Sequence, residues 1–309
     1  MQISILGSLS DTGGRCPVDA TVDNLAGLRD EGFRRVWMTQ MPYEPDLLTV
    51  LAVALREVDR IEVATGVVPI QNQHPMLLAQ RALTLSLIGS GRFILGLGLT
   101  HQAVTEGMWG IPWDKPVRRL GEYLDGLQPL LAGEAADAVG QTVTTRGALQ
   151  IPGARAPAVY IAALGPQMLR LAGRRSAGTV TWMTGPKTLA DHVGPTLRQA
   201  AADAGRPDGS VRVVAALPVS VTDDAAGARA QAAERFALYG QLPSYRAMLD
   251  REGFGGPEDA AIIGDEPTVA GHLDTLRAAG VDEFVGVVFD RSPDVRARTR
   301  ALLRRHDSF

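Results

Sequence analysis

Short, almost wholly apolar runs alternate with longer segments that carry apolar residues at helical spacing. The runs Ile61–Val68 and Phe93–Leu97 lack polar alternation, which is typical of strands buried on both faces of a parallel sheet. Between them, Pro75 marks the start of a helical pattern. This stretch therefore predicts one strand–helix–strand unit, with polar and small residues after each strand.

The same alternation predicts eight strands along the chain. They are Gln2–Gly7, Arg34–Thr39, Ile61–Val68, Phe93–Leu97, Ala158–Ala163, Gly178–Met183, Val211–Val221 and Glu283–Phe289. Eight such units in 309 residues predict an α/β fold, a (β/α)8 TIM barrel that forms a single domain over residues 1–309. A doubly wound sheet is the alternative.

The alternation is interrupted after the fourth strand, over about residues 102–157. This insertion contains Trp109 and Trp113, a helix predicted over Val117–Leu131, and a stretch rich in Gly, Ala and Thr. It is longer than an ordinary strand–helix connection. We expect it to act as a lid or an interface, because long loops at the ligand end of a barrel commonly do.

Composition and charge narrow the functional classes. The 31 Lys and Arg residues are balanced by 34 Asp and Glu residues, so we expect no nucleic-acid partner. No apolar run reaches the ~20 residues of a bilayer span, so we expect no membrane partner. The lone cysteine, Cys16, excludes an intrachain disulfide. Together with a start that lacks a signal-peptide pattern, it predicts a cytoplasmic protein.

Candidate ligand-binding residues follow the carboxyl ends of the predicted strands, where barrels of this class bind their ligands. This set has no carboxylate pair for glycoside hydrolysis, no His/Glu cluster at metal-ligand spacing and no Gly-x-Ser-x-Gly turn. Hydrolysis and metal catalysis are therefore disfavoured, and no metal site is predicted. The set is instead rich in glycines and small residues, which let the backbone approach a flat or anionic ligand.

The segment Ala162–Met168 is the clearest example. Pro166 suits the first turn of a helix, and the N–H groups of that turn would form an anion site at the ligand edge. A plain strand-to-helix turn is the alternative.

Several motifs in order resemble the bacterial luciferase-like flavin and deazaflavin oxidoreductases. Gly91–Gly98, Glu106–Pro112 and Arg119–Leu124 resemble one part of the family signature, and Tyr160–Leu169 resembles its phosphate-binding turn. The chain is most similar to the branch that uses the deazaflavin coenzyme F420. That similarity is carried by the Ala-Ala-Leu-Gly-Pro form of the turn and by two further segments, His192–Leu197 and Gly240–Tyr245.

The resemblance implies an F420-dependent oxidoreductase that transfers a hydride between the deazaflavin C5 and a small organic substrate. Reduction of an activated C=C or C=N bond is the expected direction, and oxidation of an alcohol is the alternative direction. An FMN-dependent two-component monooxygenase on the same fold is one alternative, and a non-catalytic flavin-binding barrel is another. A homodimer is expected, because members of this family are often dimers.

The resemblance also implies the coenzyme-binding residues. Gly66–Val68 would form a backbone bulge behind the ring, often with a non-prolyl cis peptide, and Ala162–Met168 would hold the phosphate. The full implied set is Thr39, Gly66, Val67, Val68, Gly98, Leu99, Thr100, Ala162, Ala163, Leu164, Gly165, Pro166, Gln167, Met168, Trp182 and Thr184.

The proton donor is the open question. Relatives in the deazaflavin branch often carry an acidic residue and a histidine after the second strand, where this chain has Thr39 and Gln40. Neither is an acid or base near neutral pH, although both can form hydrogen bonds. The catalytic candidates are therefore His101, as a general acid or as a phosphate ligand, and Gln40. His192 is expected to be a surface or packing residue.

Overall fold

The structure, a computed structural model, describes residues 1–10 and 12–308. Its strands are β1 (Gln2–Gly7), β2 (Arg35–Met38), β3 (Glu62–Thr65), β4 (Val68–Pro69), β5 (Phe93–Gly98), β6 (Ala136–Val139), β7 (Thr144–Gly147), β8 (Val159–Ala162), β9 (Gly178–Trp182), β10 (Arg212–Val221), β11 (Ile262–Gly264) and β12 (Glu283–Val288).

The α-helices are α1 (Pro17–Asp30), α2 (Leu47–Glu57), α3 (Pro75–Ile88), α4 (Gln102–Gly107), α5 (Pro116–Leu131), α6 (Pro166–Arg175), α7 (Pro186–Thr188), α8 (Gly194–Asp203), α9 (Ala225–Phe236), α10 (Pro243–Glu252), α11 (Glu266–Ala278) and α12 (Pro293–His306). A π-helical turn, Leu189–Val193, joins α7 to α8, and short 3-10 turns span Ala237–Gly240 and Pro257–Ala260. Within the described residues, no helix is both long enough and apolar enough to cross a membrane.

In the described part of the chain, eight strands pair in a closed order. β1 pairs with β12 and β2, and the order continues through β3, β5, β8 and β9 to β10, which pairs with β12. The pairings for which a register is defined in this ring are parallel. This is the (β/α)8 TIM-barrel topology, which confirms the predicted fold class. The short strands β4 and β11 pair with β5 and β10 and lie off the ring.

The chain forms two compact units. We call them the N-terminal unit, which contains Gly7–Arg29 and Arg34–Ala162, and the C-terminal unit, which contains Met1–Leu6, Asp30–Phe33 and Ala163–Phe309. Each unit has apolar strand residues with almost no exposed surface, which are Val36, Trp37, Val63, Phe93 and Leu95 in the N-terminal unit and Val213, Val214, Phe284 and Val285 in the C-terminal unit. The single-domain organisation over residues 1–309 stays a prediction.

The third predicted strand, Ile61–Val68, is interrupted in the structure. β3 ends at Thr65, β4 begins at Val68, and the peptide between Gly66 and Val67 is cis. The resemblance had implied a non-prolyl cis peptide at this bulge. A run of apolar residues carries no signal for such a break, so the boundary itself was wrong in the sequence interpretation.

The insertion that follows β5 is ordered. The helix expected over Val117–Leu131 begins one residue earlier, with Pro116 in its first turn, where proline is favoured. Between α5 and β8 lies an antiparallel hairpin of β6 and β7 that was not predicted. Only Ala136 and Thr145 of its strands are buried, so the sequence lacks the long alternation that predicts strands. A Cβ at Gly126 of α5 would lie 2.3 Å from the Thr145 hydroxyl, so glycine permits this packing.

Arg92 fixes the end of α2 against the start of β3. Its guanidinium group donates hydrogen bonds to the carbonyl groups of Leu55 (2.8 Å), Val58 (2.8 Å) and Ile61 (3.0 Å). The last carbonyl groups of a helix have no partner within the helix, so the half-buried guanidinium group of Arg92 stabilises the junction.

Replacement of Arg92 by methionine is predicted to lower the free energy of unfolding by about 2 kcal/mol, because three carbonyl groups lose a charged donor. Chemical denaturation monitored by circular dichroism measures this change. The matched control is Arg60→Met, since the Arg60 side chain is 77% exposed and pairs with the exposed Asp59. We expect the control to change stability by less than about 0.5 kcal/mol. Equal effects of the two substitutions would contradict this account of the junction.

Candidate active site

In the N-terminal unit, the ends of β3 and β5 approach each other too closely for any side chain at position 96. A Cβ at Gly96 would lie 1.8 Å from the carbonyl oxygen of Thr65. The fully buried Thr65 hydroxyl donates to the Gly96 carbonyl (2.9 Å) and accepts from the Gly96 N–H (2.8 Å). These two hydrogen bonds fix the backbone immediately before the bulge Gly66–Val68.

Trp37 of β2 lies directly against this bulge. Its indole is 1% exposed and makes an edge-to-face contact with Tyr160, with ring centroids 5.6 Å apart. A Cβ at Gly66 would lie 3.2 Å from the Trp37 ring, and the Gly66 N–H donates to the Met38 carbonyl group at 2.7 Å. Trp37 was not predicted as a site residue, because it lies inside a strand and not after one.

Three of the predicted coenzyme-binding residues are in contact at the end of β5. A Cβ at Gly98 would lie 2.4 Å from the side chain of Val67 and 3.3 Å from Cβ of Ala162. The absence of a side chain at Gly98 therefore leaves the space that Val67 occupies. Leu99 and Thr100, which follow, are half-buried, as is Thr39 after β2.

Gln71 holds the loop that follows β5 and was also missed by sequence analysis. Its side chain is 6% exposed, and its Oε1 accepts a hydrogen bond from the Thr100 N–H at 3.3 Å. Its position in a polar Gln-Asn-Gln loop gave no signal that distinguished it from its neighbours.

The amide of Gln40 is used within its own loop. Its Oε1 accepts from the Leu47 N–H at 2.6 Å, at the start of α2, and its Nε2 donates to the Met41 carbonyl group at 2.9 Å. This arrangement gives Gln40 a structural role in the loop that follows β2. A catalytic role for Gln40 stays a prediction.

His101 follows β5 and lies at the start of the short helix α4. The imidazole is partly buried, and this loss of solvation lowers its pKa below the ordinary value of 6.5. A position at a helix N-terminus also disfavours a cation. Both effects favour the neutral form of the imidazole, which weakens the case for His101 as a general acid.

In the C-terminal unit, the segment after β8 turns into α6 as the sequence predicts. Gly165 occupies the N-cap position, Pro166 begins the helix, and no side chain caps the first turn. That turn contains no acidic residue, and Gly165, Pro166 and Gln167 are exposed. Its N–H groups and the helix dipole therefore favour an anion.

Two side chains hold the carbonyl groups that precede α6. The buried Thr179 hydroxyl donates to the Ala163 carbonyl group at 3.3 Å, and His192 Nε2 lies 2.9 Å from the Leu164 carbonyl oxygen. His192 is half-buried, and its contact with the Leu164 carbonyl group was not predicted. His192 lies in a polar helical pattern, and such a pattern does not predict a contact with a carbonyl group that is distant in the chain.

Trp182 ends β9 and belongs to an aromatic cluster in the C-terminal unit. Its ring makes edge-to-face contacts with Phe236 (5.6 Å) and Tyr239 (5.5 Å). The buried Thr184 hydroxyl donates to the Trp182 carbonyl group at 3.2 Å, which ties together two predicted site residues. Among the described residues, the Trp182 indole N–H meets no hydrogen-bond acceptor.

These features suit a flat, phosphate-bearing coenzyme. The glycine-lined bulge in the N-terminal unit offers backbone at close range to a ring, and the uncapped start of α6 in the C-terminal unit offers donors to an anion. Within residues 1–10 and 12–308, no three His, Cys, Asp or Glu side chains are grouped so that they could hold a metal ion.

Comparison with known proteins shows one family. Residues 5–283 match the family model described as Luciferase-like monooxygenase. A protein of Methanolobus tindarius named 5,10-methylenetetrahydromethanopterin reductase is 32% identical over 234 residues, which are 76% of this chain and 71% of the relative.

Two solved structures have the same fold. The coenzyme F420 dependent tetrahydromethanopterin reductase from Methanopyrus kandleri superposes with a TM-score of 0.82 at 22% identity and covers 99% of this chain and 98% of its own. The oxygenating constituent of 3,6-diketocamphane monooxygenase from Pseudomonas putida, in complex with FMN, gives 0.77 at 18% identity, with 100% and 98% covered.

The pKa of His101 is predicted to lie below 6.5 in the folded protein and to return to its ordinary value on unfolding. The unfolded chain then binds the proton first as the pH falls. The His101 contribution to stability is therefore present above about pH 6.5 and is lost as the pH falls from there to the folded-state pKa. An NMR titration of the His101 ring, assigned with His101→Gln, measures the folded value. A folded pKa above 6.5 would contradict the argument from burial.

Proposed function

Because the chain belongs to the luciferase-like monooxygenase family and is an oxidoreductase, we propose that it transfers a hydride between C5 of coenzyme F420 and a small organic substrate. The proposed direction is reduction of an activated C=C or C=N bond. The observation that carries the proposal is the uncapped, acid-free start of α6, which suits the phosphate of such a coenzyme.

The choice of F420 over FMN rests on likeness. The methanopterin reductase of Methanolobus is 32% identical over 76% of the chain, and the solved reductase from Methanopyrus kandleri is described as F420-dependent. The Ala-Ala-Leu-Gly-Pro form of the turn after β8 favours the same branch. FMN is the second candidate, because the monooxygenase constituent with the same fold binds FMN.

In this proposal the deazaflavin ring lies on the bulge Gly66–Val68. The Thr65–Gly96 hydrogen bonds and the buried Trp37 hold this backbone rigidly from behind. A rigid support orients the ring without a loss of freedom at the moment of binding. Thr39, Gly98, Leu99 and Thr100 are proposed to border the same ring.

The phosphate is proposed to bind at the segment Ala162–Met168. The N–H groups of the first turn of α6 donate to it, and the helix dipole stabilises its charge. Trp182 is proposed to contact the coenzyme from the end of β9, with Thr184 holding the Trp182 backbone.

The bound coenzyme in its reduced form supplies the hydride, and the protein supplies orientation, exclusion of water and any proton. His101 is the proposed proton donor. Because burial lowers its pKa, the neutral imidazole near pH 7 donates only a hydrogen bond, and full proton transfer from His101 is favoured at lower pH. Gln40 is proposed to act in catalysis through the loop that it closes.

The cellular location and the oligomeric state of the protein are also proposed. We propose a cytoplasmic homodimer that acts on small molecules. We propose that the exposed apolar side chains Val53, Leu77 and Leu87 on α2 and α3 contribute to the contact between the two copies. Light scattering at micromolar concentration is expected to give twice the chain mass of 32.8 kDa, and the mass of a single chain would overturn the dimer.

Fluorescence titration with oxidised F420 and, separately, with FMN tests the cofactor. We expect micromolar or tighter binding of F420 and much weaker binding of FMN. A preference for FMN, with oxygen consumption when reduced FMN is added, would favour the monooxygenase. Binding of neither coenzyme would overturn the proposed function, whereas tight binding without turnover in a broad substrate screen would favour a non-catalytic barrel.

Gly98→Ala is predicted to weaken F420 binding by about tenfold, which is about 1.4 kcal/mol. The added Cβ would lie 2.4 Å from Val67 and displace the side chain at the bulge. Gly121→Ala is the control, because a Cβ at Gly121 of α5 would meet no heavy atom within 4 Å apart from its chain neighbours and the adjacent backbone of its own helix. If both variants bind F420 as the wild type does, Val67 and Gly98 do not shape the ring site.

A further inference from the structure

One histidine outside the proposed catalytic set contacts the proposed phosphate-binding segment. His192 lies on the π-helical turn Leu189–Val193, and its Nε2 is 2.9 Å from the carbonyl oxygen of Leu164. A carbonyl oxygen can only accept a hydrogen bond, so Nε2 must carry a proton. The contact thus defines which ring nitrogen of His192 is the donor.

The segment that carries His192 is itself anchored. The carboxylate of Glu252, at the end of α10, accepts hydrogen bonds from the Lys187 N–H (2.9 Å), the Thr188 N–H (2.7 Å) and the Thr188 hydroxyl (2.7 Å). These three bonds fix the start of the helical segment one turn before His192. The imidazole is therefore presented to Leu164 from a rigid support.

The geometry of the peptide group links this contact to the orientation of the Gly165 N–H group. The carbonyl group of Leu164 and the N–H group of Gly165 belong to one planar trans peptide, so they point in opposite directions. Gly165 occupies the N-cap position of α6 and, lacking Cβ, permits alternative orientations of this peptide. The hydrogen bond from His192 selects one of them.

We propose that His192 is a positioning residue for the coenzyme phosphate: by holding the Leu164 carbonyl group, it directs the Gly165 N–H towards the phosphate. Thr179 holds the preceding Ala163 carbonyl group in the same way. This inference rests on the proposed function, because it requires a phosphate-bearing coenzyme at α6. It requires no proton transfer by His192.

The test compares F420 with FO, the same deazaflavin chromophore without the phosphate and its tail. His192→Met keeps the approximate size of the side chain and removes the donor, whereas His192→Gln places an amide N–H within reach of the same carbonyl group. We expect His192→Met to bind F420 about tenfold more weakly, because the hydrogen bond from the Gly165 N–H to the charged phosphate is lost. FO has no phosphate, so its binding is expected to be unchanged. His192→Gln is expected to restore most of the F420 affinity.

His272→Met is the matched control, because His272 lies exposed on α11. Equal losses of F420 and FO affinity in His192→Met would show general damage to the fold and would overturn the inference, as would unchanged binding of both. If His192→Met does not fold, the wild-type protein still gives an answer by NMR. The Gly165 amide signal should shift with F420 and not with FO, and equal shifts would overturn the inference.

Failure of the proposed function gives a different pattern. A wild-type protein that prefers FMN refutes the F420 proposal but leaves the role of His192 testable with FMN and riboflavin, which differ by the phosphate. A wild-type protein that binds none of F420, FO, FMN and riboflavin overturns both proposals.

Discussion

The architecture of the site depends on the contact between Thr65 and Gly96. A hydroxyl that both donates to and accepts from the backbone of one glycine locks two neighbouring strands at a separation that no other residue at position 96 allows. The bulge Gly66–Val68 follows directly after Thr65. Because the Thr65 hydroxyl and Gly96 are buried, water does not compete for these two hydrogen bonds.

In the proposed function the chain offers two kinds of recognition, each built mainly from backbone. The N-terminal unit presents a rigid, glycine-lined surface, and the C-terminal unit presents a helix start whose N–H groups suit an anion. Acidic and basic side chains contribute little to either. This explains why the chain is poor in acid–base candidates and still suits an oxidoreductase, since a redox coenzyme supplies the chemistry and the protein holds it in place.

Much of the fold and part of the site could be predicted from the sequence. Continuous apolar runs such as Phe93–Leu97 indicate buried parallel strands, and Pro166 after a strand indicates an exposed helix start. The contacts that were not predicted from the sequence have a common property. Trp37, Gln71 and His192 act through contacts with residues far away in the chain, and no local period or motif reports such contacts.

The central claim is the proposal that the chain binds coenzyme F420 mainly through backbone groups. A crystal structure with bound F420 tests it most directly. The account predicts the deazaflavin ring against Gly66–Val68 and the phosphate within hydrogen-bond distance of the N–H groups of Gly165, Gln167 and Met168. A phosphate bound elsewhere, or a ring that does not touch the bulge, would contradict the account.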